Sequence, residues 1–277
     1  MSKEAPRTLV IEAGKAESQY WRDLWRCREL FLFLTWRDIL VRYKQTVFGV
    51  AWAWLRPLLT MVTFTLVFGK LAKMPSDDLP YSVLVFIAIM PWQFFSNAFN
   101  AAANSMVDNG NLISKIYFPR LIIPASAVLV CLVDTLIAAV LLAILMVWFG
   151  VWPNWHVITI PFFLLLTFLL SLGSGLLVAA LNVRYRDFRY VVPFAMQFGM
   201  YVSPVGFSSS VVPDKWRALY DLNPMVGIID GFRWALGGSK APLDYTSTSF
   251  SCVITVLFLL IGLRYFRKTE QTFADVI

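Results

Sequence analysis

The fold of this chain is decided by a stretch from Tyr43 to Leu59 that reads YKQTVFGVAWAWLRPLL. A basic, aromatic segment turns there into an apolar run, which continues to Gly69 with Arg56 as its only charged residue. The 23 residues from Val47 to Gly69 would extend about 35 Å as a helix, enough to cross a hydrocarbon core of about 30 Å. This stretch therefore predicts a membrane-spanning helix that starts from a polar surface.

The composition extends this interpretation to the whole chain. Of the 277 residues, 58% are apolar and only 15% are charged, whereas a soluble domain has about 25% charged residues. The net charge of +7 does not indicate nucleic-acid binding, because the basic residues lie in loops between apolar runs rather than on one soluble face. The three cysteines are far apart in the sequence and form neither a disulfide framework nor a metal-binding pattern. We expect an all-α integral membrane protein with no nucleic-acid partner, no metal site and no cleaved signal peptide.

Five further apolar runs follow the first one. Pro91 interrupts the second run, Asp134 lies near the middle of the third, and the fifth begins at Val191 and meets Pro204. The second, third, fourth and sixth spans are expected at Tyr81–Ala103, Leu121–Phe149, Val157–Leu181 and Tyr245–Leu263. The predicted organisation is a polar tail at 1–19, an amphipathic segment at 20–46, a six-span domain at 47–265 and a tail at 266–277.

The positive charges of the loops predict the orientation. Six spans place both termini on one side of the membrane, and Lys and Arg concentrate on the cytoplasmic side. With the N-terminus inside, the inner segments hold 17 Lys and Arg residues and the outer loops hold 6. We therefore expect both termini in the cytoplasm.

Residues 20–46 lead into the first span. Aromatic residues such as Trp21 and Trp25 alternate there with charged residues such as Arg22 and Arg26, which is typical of a helix lying in the headgroup layer. The apolar part of this segment is too short to cross the membrane. We expect an amphipathic interfacial helix, with a soluble helix leading into the first span as the alternative.

A second short amphipathic helix is predicted in the loop at 104–120. Leu112, Ile113, Ile116 and Tyr117 would share one helical face. Such a helix is shorter than the roughly 12 residues needed for marginal stability in water, so it must dock either on the membrane surface or in a groove of a cytoplasmic partner. No segment matches the phosphate-binding pattern Gly, four residues, Gly, Lys, Ser or Thr. If the protein is driven by ATP, we expect ATP and Mg to bind a separate ATPase chain, with this loop and the 184–189 loop as the contacts. The predicted contact residues are Leu112, Ile113, Lys115, Ile116, Tyr117, Arg184, Arg186 and Asp187.

The outer segment at 204–238 contains two helical patterns that are each too short to span, Val211–Tyr220 and Met225–Leu236. Asn223 and Pro224 supply an N-cap and a first-turn proline for the second. We expect a re-entrant helical hairpin between spans 5 and 6, which acts as an outer gate. The residues predicted to close this gate are Trp216, Tyr220 and Trp234.

The distribution of ionisable residues argues against an enzyme. Acid, base or metal chemistry needs groups within hydrogen-bond reach of one another, but the only histidine, His156, lies in a loop beside Trp152 and Trp155 and is expected to be an interfacial anchor. Arg56 and Asp134 are single charges within spans, which mark functional positions by default. We expect no catalytic residues; an intramembrane transferase and a secondary transporter are the alternatives to a transporter subunit.

Four motifs occur in order along the chain. They are YKQT at 43–46 followed by Gly49 and LRP at 55–57, NLISKIYFPR at 111–120, NVRYRDF at 182–188, and LNP at 222–224. Together with the intervening spans, they resemble the membrane subunits of ABC-2 class polysaccharide ABC exporters, and among these the O-antigen permeases, over about residues 30–268. The resemblance implies a homodimer with two ATPase subunits in the bacterial inner membrane, exporting a lipid-pyrophosphate-linked polysaccharide to the periplasm. Capsule and teichoic-acid exporters share much of the motif set and remain alternatives.

This resemblance leads to two further site predictions. The first is a binding region for the lipid pyrophosphate, because guanidinium groups suit phosphate oxygens; it consists of Arg42, Tyr43, Lys44 and Arg56. The second is a set of aromatic side chains along the glycan route, because sugar rings stack on aromatic faces, with lipid-facing positions as the alternative. These are Trp52, Phe64, Phe68, Trp92, Phe95 and Phe99.

Overall fold

A computed structural model of the chain describes residues 16–44, 49–76, 79–116, 118–237, 243–270 and 273, with the side chains of 16–19, 49 and 50 left out. Regular structure in these residues is helical, as the apolar pattern predicts. Tyr117, a predicted ATPase contact, and residues 45–48 of the first motif lie outside them. The helices are α1 (Ala16–Arg26), α2 (Arg28–Lys44), α3 (Gly49–Phe64), α4 (Tyr81–Asp108), α5 (Gly110–Lys115), α6 (Ile122–Trp148), α7 (Ile160–Arg184), α8 (Phe188–Val202), α9 (Asp214–Tyr220), α10 (Pro224–Leu236) and α11 (Tyr245–Thr269).

Five of the described helical segments are long and apolar enough to cross a membrane. They are Ala51–Leu71, Tyr81–Asp108, Ile122–Trp148, Trp155–Arg184 and Tyr245–Thr269. The fifth expected span corresponds to α8, which has 15 residues and therefore a length of about 22 Å, less than the hydrocarbon thickness of about 30 Å. The sixth crossing stays a prediction.

Helix α4 is the centre of the bundle. In the most apolar part of this helix, 78% of the residues are buried, compared with 17% in the first span and 22% in the last. It packs against α6 and α7, and α7 packs in turn against α11. The backbones of α7 and α11 approach closely at Gly173 and Gly262, where a Cβ atom on Gly262 would collide with the Gly173 carbonyl. Small residues allow membrane helices this close contact.

The N-terminal segment is two helices rather than one, separated at Cys27, and α1 begins at Ala16, inside the predicted tail. Tyr20 on α1 donates a hydrogen bond to Glu270 at 3.1 Å, and the Arg267 guanidinium lies 4.6 Å from the Tyr20 ring. Burial raises the pKa of the Glu270 carboxyl. Helix α1 is therefore attached to the end of α11 of the same chain.

Both helices of the outer segment are present, with one shifted boundary. Helix α10 begins at Pro224, as the cap predicts, and the Asn223 side chain accepts a hydrogen bond from the Met225 backbone N–H at 3.0 Å. Helix α9 begins at Asp214 rather than near Val211, because a short 3₁₀ turn at Ser209–Val211 precedes Pro213. Their placement in the outer leaflet stays a prediction.

Polar side chains hold the outer segment together. Arg217 on α9 donates to the Ser209 carbonyl and to Asp244, each at 2.8 Å. Arg233 on α10 donates to the Phe207 carbonyl at 3.0 Å. Burial acts to raise the pKa of the Asp244 carboxyl, but the hydrogen bonds from Arg217 and Ser247 outweigh this effect and hold that pKa below its usual value. The loop before α9 is thus fixed to both α9 and α10.

Candidate functional site

A cavity of about 700 Å³ lies between α2, α3, α4 and α6. Its position follows from the path of α2. Leu34 on α2 shares a buried cluster with Ile122 and Ile123 near the start of α6, and Arg42, eight residues later, contacts Asp134. Helix α2 therefore extends along α6 toward the middle of that helix, and its last turn forms a wall of the cavity.

An ion pair closes one side of the cavity. The Arg42 Nη1 lies 2.5 Å from the Asp134 Oδ2, and the Tyr43 hydroxyl donates to the other oxygen of the same carboxylate. The side chains of Arg42 and Asp134 are 38% and 25% exposed. The charge of Asp134 within the third span is thus compensated by a residue of the same chain. Two of the four residues predicted to bind pyrophosphate thus share one acidic partner.

Arg56 lines the same cavity, and its side chain is exposed there. The two carboxylates of the cavity wall are already paired, Asp134 with Arg42 and Asp108 with Arg189 at 3.0 Å. Within the described residues, Arg56 makes no ion pair. It is therefore the cavity cation whose charge is available to an anion. Lys44 is exposed and does not line the cavity.

A polar stripe that was not predicted from the sequence lies on α4 and faces the same cavity. Its members follow one another on α4 at steps of four, three, four and four residues, which places them on one helical face. All of them line the cavity, and they are Gln93, Asn97, Asn100, Asn104 and Asp108. The signal that could have found them is this helical spacing of amides in a run that is otherwise apolar.

The six predicted channel aromatics lie in three different places. Trp52 lines the cavity of Arg56. Phe64 is buried and its ring centroid lies 5.3 Å from that of Phe68. The other three line a separate apolar cavity of about 450 Å³ beside α7, α8 and α10; they are Trp92, Phe95 and Phe99. Only Trp52 therefore shares a cavity with the arginines, and the channel role of the set stays a prediction.

The predicted ATPase contacts divide into exposed and inward-facing residues. Ile113 on α5 is buried in a cluster with Leu34 and Phe118 of the same chain, and Leu112 is half-buried. Lys115 and Ile116 are exposed. The residues of the second loop are exposed as well, namely Arg184, Arg186 and Asp187. The apolar stripe of α5 thus mainly anchors the helix to its own chain, and Ile116 is its exposed apolar residue.

The three predicted gate residues do not meet. Trp216 is exposed, with the Lys215 ammonium 5.7 Å from its ring. The Tyr220 ring centroid lies 6.4 Å from that of Phe207. The Trp234 ring packs on His156 at a centroid distance of 4.1 Å. Each side chain is held by a different neighbour, so a plug would require them to rearrange.

The long apolar helices packed around a polar cavity are those of a multi-pass membrane protein. The chain belongs to the ABC-2 type transporter family, whose sequence profile matches residues 29–236, from α2 to the end of α10. A permease of Myxococcus xanthus named O-antigen export system permease protein RfbA is 26% identical over 258 residues, covering 92% of this chain and 98% of the relative. A protein of the same name from Klebsiella pneumoniae is 24% identical and covers 90% of this chain and 95% of the relative. The inner membrane transport permease YadH of Escherichia coli K12 is 26% identical over 214 residues, with coverages of 74% and 83%.

Proposed function

We propose that this chain is the membrane subunit of an ATP-driven exporter that moves O-antigen polysaccharide, linked to a lipid pyrophosphate, from the cytoplasm to the periplasm. The observation that carries the proposal is the near full-length similarity to permeases named for O-antigen export, which extends over 92% of this chain and 98% of the Myxococcus xanthus relative. ATP and Mg bind a separate ATPase chain, because this sequence has no phosphate-binding loop.

The cavity supports a role for Arg56 in receiving the pyrophosphate. A guanidinium group keeps its charge in a partly apolar wall and offers paired N–H donors to phosphate oxygens. Arg42 lies on the same cavity but is compensated by Asp134. In this proposal, Arg56 attracts the anionic headgroup first, and Arg42 with Tyr43 joins when the headgroup competes with Asp134 for them.

The exposed surfaces support the proposed assembly of two copies of this chain with two ATPases. Apolar side chains face outward from both α3 and α8, which bury little of their surface within one copy; examples are Leu59, Phe194 and Phe198. On the cytoplasmic side, Ile116 and the 184–187 loop are exposed for the ATPase. In this proposal the chain lies in the bacterial inner membrane with both termini on the cytoplasmic side. The outer helices α9 and α10 form the gate.

Deletion of the gene and complementation test this function. The deletion should remove long surface polysaccharide and leave lipid-linked polymer inside the cell, and the wild-type chain should restore export only together with an active ATPase. An ATPase variant that binds but does not hydrolyse ATP is the matched control. Chemical analysis of the lost polymer distinguishes O-antigen from capsule or teichoic acid. A deletion strain that keeps all of its surface polymers rules the proposal out.

A further inference from the structure

The amide stripe of α4 is unusual for the most buried helix of the bundle. From Gln93 to Asp108 it covers 16 residues, and its first and last Cα atoms are about 22 Å apart along the helix. Its amide members Gln93, Asn97, Asn100 and Asn104 are partly exposed to the cavity, whereas their neighbours Phe94, Phe95, Ala98 and Ala102 are buried. An amide facing hydrocarbon without a partner is unfavourable by several kcal/mol, so this face must contact polar groups for its whole length.

Hydrogen bonds orient Asn100 and Asn104, in the half of the stripe nearer Asp108, and leave Gln93 and Asn97 open to the cavity. Asn100 Nδ2 donates to the Ser96 carbonyl at 2.8 Å, and Asn104 Nδ2 donates to the Asn100 carbonyl at 3.0 Å. Asn104 Oδ1 accepts a hydrogen bond from Asn182 at 3.0 Å. In the described part of the chain, Gln93 and Asn97 make no side-chain hydrogen bond, so both offer a donor and an acceptor to the cavity.

We propose that this stripe is the glycan-binding face of the transport route, a proposal that rests on the proposed function. A side-chain amide carries both N–H donors and a carbonyl acceptor, so each of these residues can offer the group that a sugar hydroxyl requires. Successive amides are about one helical turn apart, with Cβ atoms about 5–6 Å from one another, so neighbouring sugars contact neighbouring amides. The amides carry no charge, and each hydrogen bond is individually weak in net terms. A long neutral polymer can therefore exchange one amide for the next as it slides.

Isosteric substitutions test the role of the two open amides. Gln93→Met and Asn97→Leu remove the hydrogen-bonding groups and keep the approximate volume, and Asn154→Leu in the loop after α6 is the control because Asn154 is exposed and does not line the cavity. We expect each stripe variant to lower the rate of glycan export by about two- to tenfold, the effect of one lost hydrogen bond. The control should export normally, and basal ATP hydrolysis by the assembled complex should not change. Normal export by the Gln93→Met, Asn97→Leu double variant overturns the proposal.

Cysteine protection separates direct contact from an effect on folding. In a background with Cys27, Cys131 and Cys252 replaced by alanine, Asn97→Cys in the assembled exporter should react with a charged thiol reagent when glycan synthesis is off. It should be protected when polymer fills the route. Ser96→Cys, one residue away and outside the cavity lining, is the control and should show no glycan-dependent change.

The outcomes of this experiment distinguish the two proposals. If the parent complex exports no glycan, the proposed function itself fails. If the parent exports glycan but Asn97→Cys reacts equally with and without polymer, the function stands and the stripe is not the binding face. A disulfide between two Asn97→Cys chains in the idle complex also overturns the proposal, because it shows that a second copy covers the groove.

Discussion

Removing the carboxylate of Asp134 should destabilise the contact between α2 and α6. Asp134→Leu leaves the Arg42 guanidinium without its partner at 2.5 Å and the Tyr43 hydroxyl without its acceptor. The lost hydrogen bonds join α2 to α6, so the contacts of α10 and α11 should not change. Arg42→Met alone should be milder, because Asp134 keeps the hydrogen bond from Tyr43.

The magnitude follows from the exposure of the pair. A hydrogen bond to a charged group contributes about 1.5–3 kcal/mol when sheltered from water, and a fully exposed ion pair contributes about 0.2–1 kcal/mol. With side chains 38% and 25% exposed, the Arg42–Asp134 pair lies between these limits, so we expect about 1–2 kcal/mol. At about 2–4 °C of melting temperature per kcal/mol for large chains, Asp134→Leu should lower the melting temperature by about 2–8 °C.

A double-mutant cycle isolates this interaction. Thermal unfolding of the complex in nanodiscs is measured for the unaltered chain, Arg42→Met, Asp134→Leu and the double variant. Removing both partners avoids the uncompensated charge, so the double variant should melt higher than Asp134→Leu alone. If the two single effects simply add, the two side chains are not coupled and the geometry of this site does not describe the working protein.

Three further outcomes follow from the described contacts. Arg56→Gln should nearly stop glycan export and Arg56→Lys should impair it, both with basal ATP hydrolysis intact; export at the normal rate by Arg56→Gln would make Arg56 a structural anchor only. Ile116→Asp should reduce co-purification with the ATPase without loss of the permease, whereas Leu112→Asp should also lower permease yield because Leu112 is half-buried; equal permease yields would contradict this division. The pKa of the Asp244 carboxyl is lower in the folded chain than in the unfolded chain, so the ionised carboxylate stabilises the outer segment above about pH 4. This stabilisation is lost progressively as the pH falls below about 4. Acidification to about pH 3 should therefore lower the melting temperature of the unaltered chain more than that of Asp244→Asn.

The helices and several of their ends could be predicted from local sequence. Apolar runs of sufficient length give the spans, and the start of α10 at Pro224 follows from the cap supplied by Asn223. Local sequence also shows that an isolated Asp134 needs a partner. It does not show which one, because Arg42 is 92 residues away and the contact depends on the path of α2 along α6.

Two features of the structure could not be predicted from the sequence for the same physical reason. Averaging hydropathy over a whole span hides the contribution of the α4 amides, although they are regularly spaced on one helical face. The burial of Ile113 within its own chain could likewise not be predicted. An apolar stripe indicates that a helix face is covered, but not whether its own chain or a partner covers it. In both cases the missing information is what lies opposite the helix face, which only the tertiary structure gives.

The two walls of the cavity present different chemistry, and the proposed substrate has two matching parts. A lipid pyrophosphate has a single anionic group, which a single uncompensated guanidinium can meet, and Arg56 on α3 is such a group among the described residues. The glycan behind it is long and neutral, and it needs many equivalent weak contacts rather than one strong one, because a tight site would stop a moving chain. The amides from Gln93 to Asn104 on α4 provide contacts of that kind. Arg42 is held by Asp134, so in this proposal it binds the headgroup only in competition with that carboxylate and retains it less strongly than Arg56.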